Sequence, residues 1–336
     1  MPRIVTDGRA AAAAWRAYSA TRPGCLAVDT ETTGVDWFDT PFCATASWRD
    51  EAGRIRSGYF DLADEQAART LTLILESTPV WVGHNLKFDL QKLLLIGVIE
   101  RPLLNSIELH DTEAQAHLLN PNERKGLKLL AKVILGEETD EEEKLKVVRR
   151  KLGLTKADGY EFIPRSILAP YALKDTEFTL RLHEKQLPRL EGRLLKLYHD
   201  EMRLTLELLD MEAAGYRLDV EYVKATAEEY GQRIMQHLSK IRELADDELL
   251  NPASPKQLLE AFHARGHKKL ESTNEETLSK LDDEMAEAVL AFRGDKKLHT
   301  TYLKAMLDEQ RDGIIHPSFR QHGTRTGRMS SGAATG

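Results

Sequence analysis

Asp29 and Glu31 stand two residues apart at the end of the apolar run Cys25-Leu26-Ala27-Val28 and are followed by Thr32-Thr33-Gly34. The run reads as a strand, and strand side chains alternate, so both carboxylates project from one face. Two anions held this close repel each other unless a cation or a donor lies between them, and a hard divalent metal is the usual solution. Taken alone, the stretch admits two readings: a metal site, or a polar turn with Thr and Gly as turn residues. Two further pairs bear on the choice. Asn85 and Asp89 are four apart, as are Tyr171 and Asp175, a spacing that places each pair on one face of a helix. An Asp early in a helix also suits the helix dipole, and a Tyr in a helix is commonly core.

The elements that must position these residues can be read in order. A surface helix through Ala10–Tyr18 precedes the turn Pro23-Gly24, which leads into the strand carrying Asp29 and Glu31. Phe42–Trp48 and Ile55–Phe60 read as two more strands of a meander, joined by the turn Arg49–Gly53. Ala67–Glu76 has helical spacing, and Pro79–His84 is too short for a helix and reads as a buried strand. Asn85 is placed as the N-cap of a helix Leu86–Ile96. A helix through Ala116–Leu119 stops at Asn120-Pro121, and Leu127–Leu135 is helical up to Gly136. Glu137–Lys151, dense in mixed charge, reads as a solvated, mobile excursion. A helix with Pro170 in its first turn then carries Tyr171 and Asp175. The strand and helix alternation predicts an α/β fold, a mixed sheet with flanking helices.

The chain has 336 residues, 41% hydrophobic and 30% charged, enough for two or three domains with real cores. A net charge of −7 neither favours nor excludes a nucleic-acid partner, because binding depends on local basic surface. Cys25 and Cys43 form no metal-ligand spacing and read as reduced thiols, which suits the cytoplasm. No apolar span or signal peptide is present, so no membrane partner is expected.

In order and spacing, Asp29-x-Glu31, Asn85-x-x-x-Asp89 and Tyr171-x-x-x-Asp175 resemble the three motifs of the DEDD 3′-to-5′ exonucleases, in the tyrosine-bearing branch. Their surroundings are similar to the proofreading domain of DNA polymerase I-type, family A enzymes. The resemblance implies an RNase H-like fold and two divalent ions, Mg²⁺ or Mn²⁺. It implies that Asp29 bridges both ions, that Glu31 and Asp175 complete one site, and that Asp89 supports the other. Tyr171 would orient the attacking water with Glu31. Val35 matches an apolar wedge against the terminal base, and Thr32 and Asn85 match substrate-contacting positions.

The second half extends the likeness. Leu194–Ala214 reads as an amphipathic helix closed by Gly215, and Leu204–Asp219 and Asn251–Leu258 resemble the polymerase thumb. Ser254 is expected to cap a helix from Pro255, Asn274 ends the cap of another, and Ala286–Leu307 is a further helix. Lys256, Arg265, Lys268, Lys269, Lys296, Lys297 and Lys304 could track duplex phosphates, or form a solvated face. Gly313–Ser331 is similar to the entrance of the palm, where Arg328 matches a residue at the primer terminus.

The expected domains are an exonuclease over 1–192, a mostly helical thumb-like region over 193–308 and the start of a palm over 309–336. The catalytic aspartates of the palm and the nucleotide-binding helix are not found in this sequence, so nucleotidyl transfer would need a second polypeptide carrying palm and fingers. A start to the first motif near residue 29 leaves no room for a preceding 5′ nuclease and points to a viral source and a host cytoplasm. The expected function is removal of nucleotides from DNA 3′ ends, on single strands or primer-templates. The alternatives are a non-catalytic DNA-binding subunit of a split polymerase and an RNA-trimming exonuclease of the same superfamily.

Overall fold

The computed structural model describes residues 3–138, 140–154 and 159–332. Position 139 and positions 155–158, in the stretch expected to be an excursion or to follow it, and 333–336 of the expected palm segment lie outside the described residues. The chain divides into two compact units, Met1–Ala214 with Pro317–Gly336, and Gly215–His316.

The first unit is built on a six-stranded mixed sheet in the order β1-β4-β3-β2-β5-β6. Its strands are β1 (Arg3–Val5), β2 (Cys25–Thr32), β3 (Pro41–Arg49), β4 (Ile55–Asp61), β5 (Val80–Gly83) and β6 (Glu108–Asp111). The meander β2-β3-β4 is antiparallel, whereas β1 on β4 and the run β2-β5-β6 are parallel. Strand β1 had no counterpart in the sequence reading, because three residues are too few to show a period.

Alternation along β2 divides its side chains between two cores. Leu26 and Val28 join Ala44, Ala46, Trp48 and Phe60 under helices α1 (Gly8–Ser19), α2 (Glu65–Glu76) and α3 (Leu86–Leu95). On the other face, Cys43 and Tyr59 pack against Ala169 and Leu173. These last two belong to a long helix, Arg165–Gln186, which follows α4 (Thr112–Leu119), α5 (Leu127–Leu130) and α6 (Asp140–Lys151) and is labelled α7. Thr45 donates to the Ala172 carbonyl at 3.1 Å, and Ser47 and Thr176 share a hydroxyl contact at 2.8 Å, so α7 is pinned to the sheet by polar bonds as well.

Two expectations are corrected here. The 137–151 stretch contains α6 rather than an irregular excursion: Leu145 is buried with Ile163 and Leu168, and Val148, three residues on, packs beside it. One apolar stripe suffices to dock a helix whose other faces are charged. Pro170 lies inside α7, not in its first turn, since the helix starts at Arg165 with Pro164 as its cap residue. Helix α8 (Gly192–Ala214) and the short strands Ser318–Arg320 and Ser330–Gly332 also belong to this unit.

In the second unit, α9 (Val220–Ala245) packs on α12 (Glu284–Lys297), with Ile241, Leu258, Phe262, Met285, Val289 and Phe292 in the core. Ser254 caps α10 (Pro255–Ala264) and Asn274 caps α11 (Glu275–Leu278), each accepting from a backbone N–H three residues on. Arg265 is engaged inside this unit, donating to Asp283 and to the Leu244 carbonyl, so its charge belongs to the unit's own framework.

Candidate metal centre

Asp29 and Glu31 sit on the α7 side of β2, opposite Thr45 and Cys43 of β3. Helix α7 brings Asp175 to them, and the three residues each offer a carboxylate oxygen within 4.8 Å of the others. Burial works against three charges in so small a volume. It raises the Asp29 carboxyl to about 7. Glu31 is raised well above the usual carboxylate range, first by burial and then by the Asp29 charge.

Asp89 reaches the same strand from α3. Pairing of β2 with β5 runs only over Cys25–Ala27. Beyond that point the Thr30 N–H donates instead to Asp89 Oδ1 at 2.8 Å, and the Thr30 hydroxyl donates to the same oxygen at 2.6 Å. Asp89 is buried, and burial and the Asp29 charge raise its carboxyl while the two Thr30 bonds lower it. Thr30 was not singled out from sequence. The signal available was a hydroxyl on the core-facing side of an otherwise apolar strand.

Asn85 does not cap α3 through its side chain. It adopts a left-handed conformation (φ 63°), which Asn tolerates better than most residues. The capping is done by Asp111 at the end of β6, which accepts from Asn85 N at 3.1 Å and Leu86 N at 2.8 Å and also caps α4. With its backbone N–H satisfied from outside, Asn85 is left exposed at the mouth of α3. His84 contacts the Thr112 hydroxyl at 2.8 Å.

Thr32 follows Glu31 at a register shift in β2 and donates to the Gly34 carbonyl at 2.5 Å. Val35 is 50% exposed in the loop between β2 and β3, with Phe38 also exposed. That loop is tight at Gly34, where a side chain would run into the Asp39 carboxylate. It is clasped from α3: Lys92, fully buried, donates to the Asp36 and Trp37 carbonyls, and Gln91 donates to Trp37 O at 2.9 Å. Arg328 is exposed between the short strands Ser318–Arg320 and Ser330–Gly332, outside the carboxylate group.

Tyr171 lies one turn before Asp175 on α7, its ring edge-on to Tyr160. Lys128 of α5, unmarked in the sequence reading, pairs with Asp175 and lies 4.1 Å from the Tyr171 ring centroid. The available signal was a lysine, one of two with Lys132, in the otherwise apolar run Leu127–Leu135. An oxygen-only donor set of clustered carboxylates is what Mg²⁺ and Mn²⁺ favour, and an ammonium already resting on Asp175 marks the spot as one that attracts a cation. The residues therefore fit a hard divalent ion.

Comparison with known proteins bears on the whole chain. The family model described as 3′-5′ exonuclease matches residues 2–191, and that of DNA polymerase family A matches residues 220–334. The DNA polymerase of Escherichia phage T5 is 32% identical over 307 residues, covering 81% of this chain and 35% of that protein. DNA polymerase I of Chloroflexus aurantiacus is 32% identical over 269 residues, 74% of this chain and 27% of its own length. The matched part thus spans between about a quarter and about a third of the length of these relatives. The polymerase domain of Pol1 from M. smegmatis, solved in complex with DNA primer-template and dNTP, superposes with a TM-score of 0.67 at 21% identity. It covers 98% of this chain and 54% of that one, and shows a shared fold. Among the described residues no helix is long and apolar enough to cross a membrane.

Proposed function

Since the chain belongs to the 3′-5′ exonuclease family of the family A DNA polymerases, we propose that it removes nucleotides from DNA 3′ ends by metal-dependent phosphodiester hydrolysis. Divalent metal dependence is general to this domain. The observation that carries the reading here is the convergence of Asp29, Glu31 and Asp175 within 4.8 Å, on a sheet face buried under α7.

In this reading Asp29, Glu31, Asp89 and Asp175 would hold two ions, Mg²⁺ or Mn²⁺, with Asp29, central to the group, as the principal ligand. When bound, such ions supply Lewis acidity, lowering the pKa of water and offsetting charge on the departing 3′ oxygen. The protein's own groups do the rest. Tyr171, one turn from Asp175, orients the attacking water together with Glu31. Thr30 holds the Asp89 carboxylate in place by two bonds to one oxygen. Val35 lies against the terminal base, Thr32 and Asn85 contact the terminal nucleotide, and Arg328 contacts the primer strand. The assignment of 1–192 to the exonuclease, 193–308 to a thumb-like DNA-binding region and 309–336 to the start of a palm belongs to the same proposal. A non-catalytic role is disfavoured because a scaffold gains nothing from buried like charges.

The test is digestion of a 3′-labelled single strand and of a mismatched primer-template, with Mg²⁺ or EDTA. Metal-dependent loss of 3′ nucleotides is expected, and its disappearance in Asp29→Ala. Activity unchanged by Asp29→Ala, or none with any divalent ion, would overturn the proposal.

A further inference from the structure

The carboxylate cluster contains a cation supplied by the chain itself. Lys128 forms an ion pair with Asp175, and its side chain is only 16% exposed. Its charge also acts on the other two members, lowering the Asp29 and Glu31 carboxyls against the upward push of burial. The same ammonium lies 4.1 Å from the centroid of Tyr171 and 5.4 Å from that of Phe178, so two aromatic faces line its position. It is presented by α5, whose backbone runs at Ala131 into a π-helical turn, Ala131–Leu135, and whose Leu127 and Leu130 pack against Ala116 of α4 and Leu182 of α7. The stem is thus rooted in packed structure while the head group stands among the acids.

We propose that Lys128 is the internal counter-ion of this site: its ammonium holds Asp29, Glu31 and Asp175 together without metal and must withdraw from Asp175 for a divalent cation to bind. The proposal rests on the metal reading of the preceding section. One positive charge among three carboxyl groups eases their mutual repulsion, and the acids remain available to a divalent ion that replaces it. A lysine suits the role better than an arginine. Its charge is compact, its four-carbon stem is flexible, and it does not lock onto a carboxylate through a rigid two-pronged fork. The Tyr171 and Phe178 rings offer the displaced ammonium a favourable place beside the site. Lys128 is on this account a positioning residue that sets metal affinity.

The experiment is Mn²⁺ titration by calorimetry on the full chain, with melting temperatures in EDTA and in saturating Mn²⁺. The proteins are wild type, Lys128→Met, Lys128→Arg and Asp29→Asn. Removing a like charge a few ångströms from the ion should tighten Mn²⁺ binding in Lys128→Met by on the order of ten-fold. The same variant should melt lower than wild type in EDTA and gain more from Mn²⁺. Lys128→Arg keeps the charge but can grip a carboxylate through its fork, so it should bind Mn²⁺ no more tightly than wild type. Unchanged or weaker Mn²⁺ binding in Lys128→Met, with wild-type binding lost in Asp29→Asn, would overturn the counter-ion role alone. Wild type and Asp29→Asn binding Mn²⁺ equally, or not at all, would overturn the metal reading and this inference with it. If Lys128→Met does not fold in EDTA, Lys128→Gln gives the same comparison, and its failure to bind Mn²⁺ more tightly than wild type would equally overturn the inference.

Discussion

Asp29 carries a charge whose cost depends on what lies beside it. The folded, metal-free protein holds its carboxyl at about 7 against an ordinary 3.8, with burial as the main cause. Between those values the folded state binds more protons than the unfolded chain. The contribution of Asp29 to stability is therefore complete below about pH 3.8 and is lost as pH rises through about 7. In EDTA, the stability of Asp29→Asn relative to wild type should rise across this window and level off above it. Urea denaturation of both proteins over a pH series checks this, and a difference independent of pH would show that Asp29 ionises as it does in water. Divalent metal should flatten the wild-type curve, since bound cations favour the charged carboxylates.

Helix α3 shows how an element is aimed from outside itself. Its N-terminus is held by Asp111, which also accepts from Glu113 N and Ala114 N at the start of α4. Asp111→Ala removes a cap at each of two helix ends and should destabilise by roughly 1–4 kcal/mol. A loss under about 0.5 kcal/mol on chemical denaturation would show that backbone and solvent replace these bonds. Three residues beyond Asp89, Lys92 reaches the loop that carries Val35. Burial lowers its ammonium to about 8. Lys92→Met should loosen the loop and raise KM for single-stranded DNA by about ten-fold, ~1.4 kcal/mol of binding. The carboxylates are untouched, so kcat should stay within about two-fold. Steady-state kinetics separates the two, and a fall in kcat alone would place Lys92 with the carboxylates rather than with the loop.

At the scale of the molecule, the first unit is closed by chain from both ends of the sequence. Lys87 of α3 pairs with Glu212 near the end of α8 and donates to Phe319 O at 2.7 Å, while Phe319 N donates to Glu212 at 2.6 Å. Gln321 donates to Glu201 O at 3.0 Å, and Lys125 donates to His322 O at 3.0 Å. Both members of the Lys87–Glu212 pair are buried, so losing one strands the other. Lys87→Met should cost about 3–5 kcal/mol and release the 317–332 segment to limited proteolysis. Wild-type protection of that segment in the variant would show that the pair does not hold it.

Much of this was legible in the sequence because it is local. Alternation places Asp29 and Glu31 on one strand face whatever the strand pairs with, and a four-residue spacing aligns Tyr171 with Asp175 on any helix. The caps at Ser254 and Asn274 likewise involve neighbours within three residues. Other features needed the fold. A two-position apolar stripe did not reveal α6, and the cap of α3 comes from Asp111, twenty-five residues away from Leu86. Strand order and helix packing alone bring Asp89 to Thr30, Asp175 to Asp29 and Glu31, and Lys128 among the carboxylates. Periodicity records which face a residue occupies. Which faces meet is decided only when every apolar surface has been buried at once, and only the tertiary structure contains that result.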